Sequence, residues 1–120
     1  MAVKVLVADD SEVILKGIRA LLLSDPDIQL VGECADYAET SRLVTALQPD
    51  VVVLDMRMPD APSFDLNKLK CNSRIVAISF ANDEEARRLA KLVGADLMLD
   101  KIFLGTELIP AIKRAAQTIA

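Results

Sequence analysis

An α/β fold of the doubly wound kind, a parallel sheet with helices on both faces, is what this sequence predicts. Three observations carry that prediction. Strand-like and helix-like patterns alternate five times along the 120 residues, with no linker, low-complexity stretch or internal repeat between them. The central run 51–54 (VVVL) is continuously apolar and bounded by Pro49, Asp50 and Pro59, as expected of a strand covered on both faces. The strand-like runs also end on polar or charged residues, and a parallel sheet gathers such ends along one edge, where open α/β sheets place their ligands.

Each element follows from local signals. Val3–Ala8 (VKVLVA) reads as the first strand and runs into the acidic pair Asp9 and Asp10. Ser11 is placed to cap a helix over Glu12–Leu23, whose Val13, Ile14, Gly17, Ile18, Leu21 and Leu22 recur at helical spacing. Asp25, Pro26 and Asp27 stop that helix, and residues 28–31 give a short second strand. Asp36 with Glu39 three residues on has the form of a capping box and opens a helix over Tyr37–Leu47. The third strand, 51–54, ends on Asp55. Asp60, Ala61 and Pro62 then lead into a weak helix over 63–70, and Arg74–Ser79 (RIVAIS) is a fourth buried strand. Asn82 or Asp83 caps a helix through Leu92, which Gly94 ends. Residues 96–100 carry a fifth strand with Lys101 at its end. A helix over 104–119 closes the pattern, with Pro110 in its opening turns or at its true start.

Composition bounds the function. A hydrophobic share of 52% suffices for the core of one domain over 1–120, and no apolar run approaches a membrane span. The opening MAVKVLVADD passes directly into a strand pattern, so no signal peptide is expected and the location expected is cytoplasmic. Cys34 and Cys71 lack metal-ligand spacing and read as buried or half-buried thiols. A net charge of −4 argues against direct binding of nucleic acid. The absence of His removes the commonest acid/base group and the commonest transition-metal ligand.

The chemistry lies in the strand ends. Strand one ends in Asp9 and Asp10, strand three in Asp55, strand four in Ser79 and strand five in Lys101. Taken singly, the acidic pair reads as a solvated turn, Lys101 as a surface charge and Ser79 as a strand-end cap. Together they converge three carboxylates, a hydroxyl and an ammonium on one crevice. Like charges ~4 Å apart repel by about 4 kcal/mol at an effective dielectric near 20, so the carboxylates call for a cation. Oxygen ligands alone select a hard ion such as Mg2+, and a metal with open positions suits a phosphoryl group. Asp55 would then attack phosphorus, while Asp10, helped by Asp9 and the backbone carbonyl of Arg57, would hold the ion. Lys101 would pair with the phosphoryl oxygens, and the Ser79 hydroxyl would donate to one of them.

With that set in hand, Asp9 and Asp10, DMRMP from Asp55 to Pro59, Ser79 and Lys101, the chain resembles the receiver domain of two-component response regulators. The likeness covers essentially the whole chain. Its opening half is especially similar to receivers of nitrate-response and luminescence-type transcription factors, and GADLMLDK resembles receivers with GAD-x-x-x-DK. The resemblance implies a flavodoxin-like fold with sheet order 2-1-3-4-5 and transfer of a phosphoryl group to Asp55 from a histidine kinase or phosphotransfer protein. It also implies dependence on Mg2+ and a phosphorylation-driven shift of the loops beyond strands four and five. A C-terminal output domain outside this chain fits the same likeness. For a homodimer there are two candidate faces, the first and last helices or the fourth helix–fifth strand–last helix face.

Four positions depart from the family pattern. Ile102 follows Lys101 where Pro is usual, Phe80 follows Ser79 where a small residue is usual, and Met98 stands in place of the switch aromatic. The loop DAPSFD also lacks the Gly usual after the Met-Pro pair. A ring at Phe80 narrows access of water and small phosphodonors to Asp55. Three other readings share parts of this pattern. A flavin binder needs a phosphate-cradling loop after strand one, where this chain has ADDSE. A phosphatase with an Asp nucleophile needs a second acid two residues on, where this chain has Arg57. A degenerate receiver serving only as a docking module is the alternative that the departures keep open.

Overall fold

Side chains alternate across a strand, and here the alternation sorts the core into two layers. The computed structural model describes residues 2–69, 72–80 and 83–117. Within them the order is β1 (Val3–Ala8), α1 (Glu12–Leu23), β2 (Ile28–Cys34), α2 (Tyr37–Leu47), β3 (Val51–Asp55), β4 (Arg74–Ser79), α3 (Glu84–Leu92), β5 (Leu97–Asp100) and α4 (Leu104–Ala116). The strands pair in parallel in the order β2-β1-β3-β4-β5, the flavodoxin-like order that the resemblance implies. Val5, Val7, Val51, Val53, Val76 and Ile78 face one layer, where α1 and α4 bring Leu15, Ile18, Leu108 and Ile112. The alternate residues Leu6, Ala8, Val52, Leu54, Ile75 and Ala77 face the other, closed by Val44 of α2 and by Ala86 and Leu89 of α3.

The helix starts are those the caps predict. Ser11 accepts a hydrogen bond from Ile14 N at 3.3 Å, and Asp36 accepts one from Glu39 N at 2.7 Å. Asp83 caps α3 by accepting from Glu85 N and Ala86 N. Asn82, the other candidate, lies outside the described residues, as does Cys71. Gly94 follows α3 with φ at 74°, a left-handed turn that a side chain would strain. Arg19 of α1 grips Glu33 of β2 through two hydrogen bonds of 2.7 Å. Cys34 is buried, with Sγ 3.2 Å from Thr40 Oγ1.

Four elements differ from their expected form. The second strand runs on to Cys34, because the pairing with β1 slips a residue after Leu30 and resumes at Gly32. Such a bulge breaks the two-residue alternation that marks a strand. The weak helix over 63–70 is a single 3-10 turn, Leu66–Leu69, in its described part. Ser63 N and Phe64 N both donate to the Asp60 carbonyl, and Asp65 takes the Asn67 amide, so the chain is spent on turns before a helix can nucleate. Asp96 precedes β5 instead of opening it, exchanging bonds of 2.8 and 2.9 Å with Ile75 through backbone and carboxylate. Pro110 sits inside α4, as the seventh residue from its start at Leu104. The missing amide bond is tolerated there because Leu108, Ala111 and Ile112 on that stretch are buried. Among the described residues no peptide bond is cis, and no helix is long and apolar enough to cross a membrane.

Candidate functional site

The register of the sheet determines which residues meet. Ala8 pairs with Leu54, so Asp9 and Asp55 are the next residues along β1 and β3. Asp55 pairs with Ile78, and Ser79 pairs with Asp100. Ser79 and Lys101 therefore emerge at the same C-terminal edge. Asp9, Asp55 and Ser79 are all buried there, while Asp10 on the rim is exposed. Carboxylate oxygens of Asp9, Asp10 and Asp55 lie within 4.8 Å of one another. Lys101 reaches across from the far side, its Nζ 2.8 Å from Asp9 Oδ2 and 3.2 Å from Asp55 Oδ1.

One ammonium does not balance three carboxylates. Asp9 Oδ1 accepts the Ser11 amide at 2.8 Å, but Asp9 Oδ2 is buried with no hydrogen bond and only the ion contact to Lys101 among the described residues. Burial, and then the charge of Asp9, push the Asp55 carboxyl up to about 6, against the opposing pull of Lys101 and of the Arg57 amide. That amide donates to Asp55 Oδ1 at 3.1 Å. An under-coordinated buried carboxylate oxygen beside two further carboxylates, with no nitrogen or sulfur ligand in the set, fits a hard divalent cation such as Mg2+.

The departures noted in the sequence have definite positions. The Lys101 ammonium lies over the Phe80 ring, with Nζ 5.0 Å from the ring centroid, and Phe80 is itself largely exposed. Met98 is partly buried in the layer of Ala77, Ala86 and Leu89. The peptide between Lys101 and Ile102 is trans, and the turn Lys101–Phe103 is capped by Asp100, which accepts from Ile102 N at 2.9 Å. The Arg57 side chain leaves the site and pairs with Asp83 at the start of α3.

Two participants were not visible in the sequence. Tyr37, read only as the first residue of a helix, is wholly buried and donates its hydroxyl to the Asp55 carbonyl at 2.7 Å. Burial and then the charge of Asp55 raise its phenol well above the usual range. Asp60, read only as a turn residue, accepts from Tyr37 N and Ala38 N at 2.9 and 3.0 Å and so caps α2 from the loop after β3. The only signal available was a lone Tyr beside a capping box, since a buried phenol needs a partner for its hydroxyl.

Comparison with known proteins agrees with this geometry. The family model described as the response regulator receiver domain matches residues 5–113. The DNA-binding transcriptional activator DevR/DosR of Mycobacterium tuberculosis is 38% identical over 119 residues, which cover 92% of this chain and 53% of that protein. The nitrate/nitrite response regulator protein NarL of Escherichia coli is 34% identical over 116 residues, covering 93% of this chain and 54% of that one. The chain thus spans about half the length of these relatives. Among solved structures, the signal receiver domain of the putative response regulator NarL from Mycobacterium tuberculosis superposes with a TM-score of 0.84 at 28% identity, over 98% of both chains. Receiver domains of this family bind Mg2+ at an acidic Asp cluster and interact with histidine kinases. The sheet order, the acidic edge and a family match over most of the chain lead to one assignment: this chain belongs to the phosphoaccepting receiver domains of two-component response regulators.

Proposed function

We propose that Asp55 is the residue that accepts the phosphoryl group, from the phosphohistidine of a sensor kinase or phosphotransfer protein. The observation that carries this reading is the contact of Lys101 with Asp55 beside the Asp9–Asp10–Asp55 cluster. Asp9, Asp10, Asp55 and the backbone carbonyl of Arg57 would hold Mg2+, which when bound supplies positive charge for the oxygens in flight. Both the Arg57 amide and Lys101 occupy Asp55 Oδ1, which leaves Oδ2 to attack phosphorus. A bond forms between that oxygen and phosphorus as the phosphorus–nitrogen bond of the donor breaks, and the imidazole keeps the electron pair and takes up a proton. Lys101, already desolvated, pairs with a phosphoryl oxygen. The Ser79 hydroxyl donates to another, and its movement toward the phosphoryl group biases the loops after β4 and β5.

On this reading residues 1–120 are one receiver domain, working in the cytoplasm as a switch and not as an enzyme acting on a further substrate. Its output is a change in partner binding, through a second copy or through an output segment like those the relatives' names describe. No observation favours a phosphorylation-independent docking module, since the acidic cluster and the lysine are in place together. Incubation with acetyl phosphate and Mg2+ should place one acid-stable, base-labile phosphoryl group on the protein. Asp55→Asn should abolish it, because an amide is not a nucleophile; labelling that persists in this variant refutes the assignment.

A further inference from the structure

Tyr37 heads the described residues in size among fully buried side chains, and its hydroxyl donates to the backbone oxygen of Asp55. The same peptide unit is held at its other end, where Met56 N donates to the Ile78 carbonyl at 3.1 Å. The unit joining Asp55 to Met56 is therefore gripped by α2 on one side and by β4 on the other. Its plane cannot rotate without stranding a buried polar group. The next amide, Arg57 N, reaches back to Asp55 Oδ1, so this plane also sets the turn that carries the Arg57 carbonyl. The loop returns the contact: Asp60 caps the first two amides of α2, and the Phe64 ring stacks on Tyr37 with centroids 6.1 Å apart.

We propose that Tyr37 is a positioning residue for the site, acting through the Asp55 backbone to aim both the carboxylate and the Arg57 carbonyl. The claim rests on the roles given above to Asp55 and Arg57. It makes the first turn of α2 part of the reaction machinery. Through the Asp60 cap, any displacement of the loop after Asp55 is felt at the start of α2.

Tyr37→Phe tests this, since it removes one oxygen and keeps the ring. Calorimetric titration with MgCl2 should show affinity weakened about fivefold, the factor one hydrogen bond carries. Labelling at saturating acetyl phosphate should slow by a similar factor, with the half-saturating donor concentration unchanged. In metal-free protein the Met56 and Arg57 amides should exchange hydrogen faster. Val44→Ala serves as the stability control, because it opens a cavity under the same helix without touching the site. It should leave Mg2+ affinity as in the native protein. Native Mg2+ affinity and labelling in Tyr37→Phe, or an equal loss in Val44→Ala, overturns the positioning role. Labelling that survives Asp55→Asn overturns the underlying site assignment instead, so the two failures are distinguishable.

Discussion

Asp55 is held at odds with its own charge, and that has a measurable consequence. Its carboxyl titrates at about 6 in the folded protein, above the ordinary value near 4 that the unfolded chain shows, because it is buried beside Asp9. A carboxyl whose folded value is raised binds its proton more tightly when folded. Its contribution to stability is therefore fully present below about pH 4 and is lost as pH rises through about 6, over a range of roughly 3 kcal/mol at most. Asn at this position mimics the protonated acid at every pH. In Mg2+-free urea unfolding, Asp55→Asn should be more stable than the native protein at pH 8, and the gap should narrow at pH 5. A gap independent of pH would mean that Asp55 is not the group under strain.

At the scale of elements, α2 ends on a conformation that suits its residue poorly. Gln48 is the one non-glycine residue with positive φ among those described, at 47°, and its amide closes the helix on the Val44 carbonyl. A left-handed residue with a side chain costs about 1 kcal/mol, partly offset by the smaller entropy it loses on folding compared with glycine. Gln48→Gly should thus raise the unfolding free energy by about 0.5 kcal/mol, read from denaturant midpoints at unchanged slope. The caps at Ser11 and Asp36 were legible because a hydroxyl or carboxylate before an apolar period has few other uses. The continuation of β2 was hidden by its bulge, and the missing third α-helix by apolar positions that the 3-10 turn buries equally well at Leu66 and Leu69. Periodicity registers which residues are buried before it registers how the backbone between them is bonded.

For the molecule as a whole, the site is a consequence of topology. Asp9, Asp55, Ser79 and Lys101 are far apart in sequence, yet each is the residue at which a parallel strand gives out, so knowing the strands was enough to bring them together. Tyr37 and Asp60 escaped the same reasoning because their contacts run between a helix start and a loop, which no strand pattern places. The crowded carboxylates also tie the stability of the fold to the cation. Mg2+ at ten times its dissociation constant should add about 1.4 kcal/mol to the unfolding free energy at neutral pH, visible as a rise in Tm. The paired substitution Asp9→Asn with Asp10→Asn should erase that increment and, without Mg2+, should melt no earlier than the native protein once repulsion is relieved. A retained rise would place the ion elsewhere.

The chain has one tyrosine and no tryptophan. Its tyrosine emission therefore comes from a single phenol, and that phenol is bonded to the carbonyl of the residue proposed to carry the phosphoryl group. The unmodified protein holds its own optical probe at the point of interest. Titration with MgCl2, followed by a beryllofluoride mimic of the phosphoryl group, should change the tyrosine emission in two separate steps, the first with the midpoint found by calorimetry. No dye, tag or engineered residue is needed to watch the crevice fill.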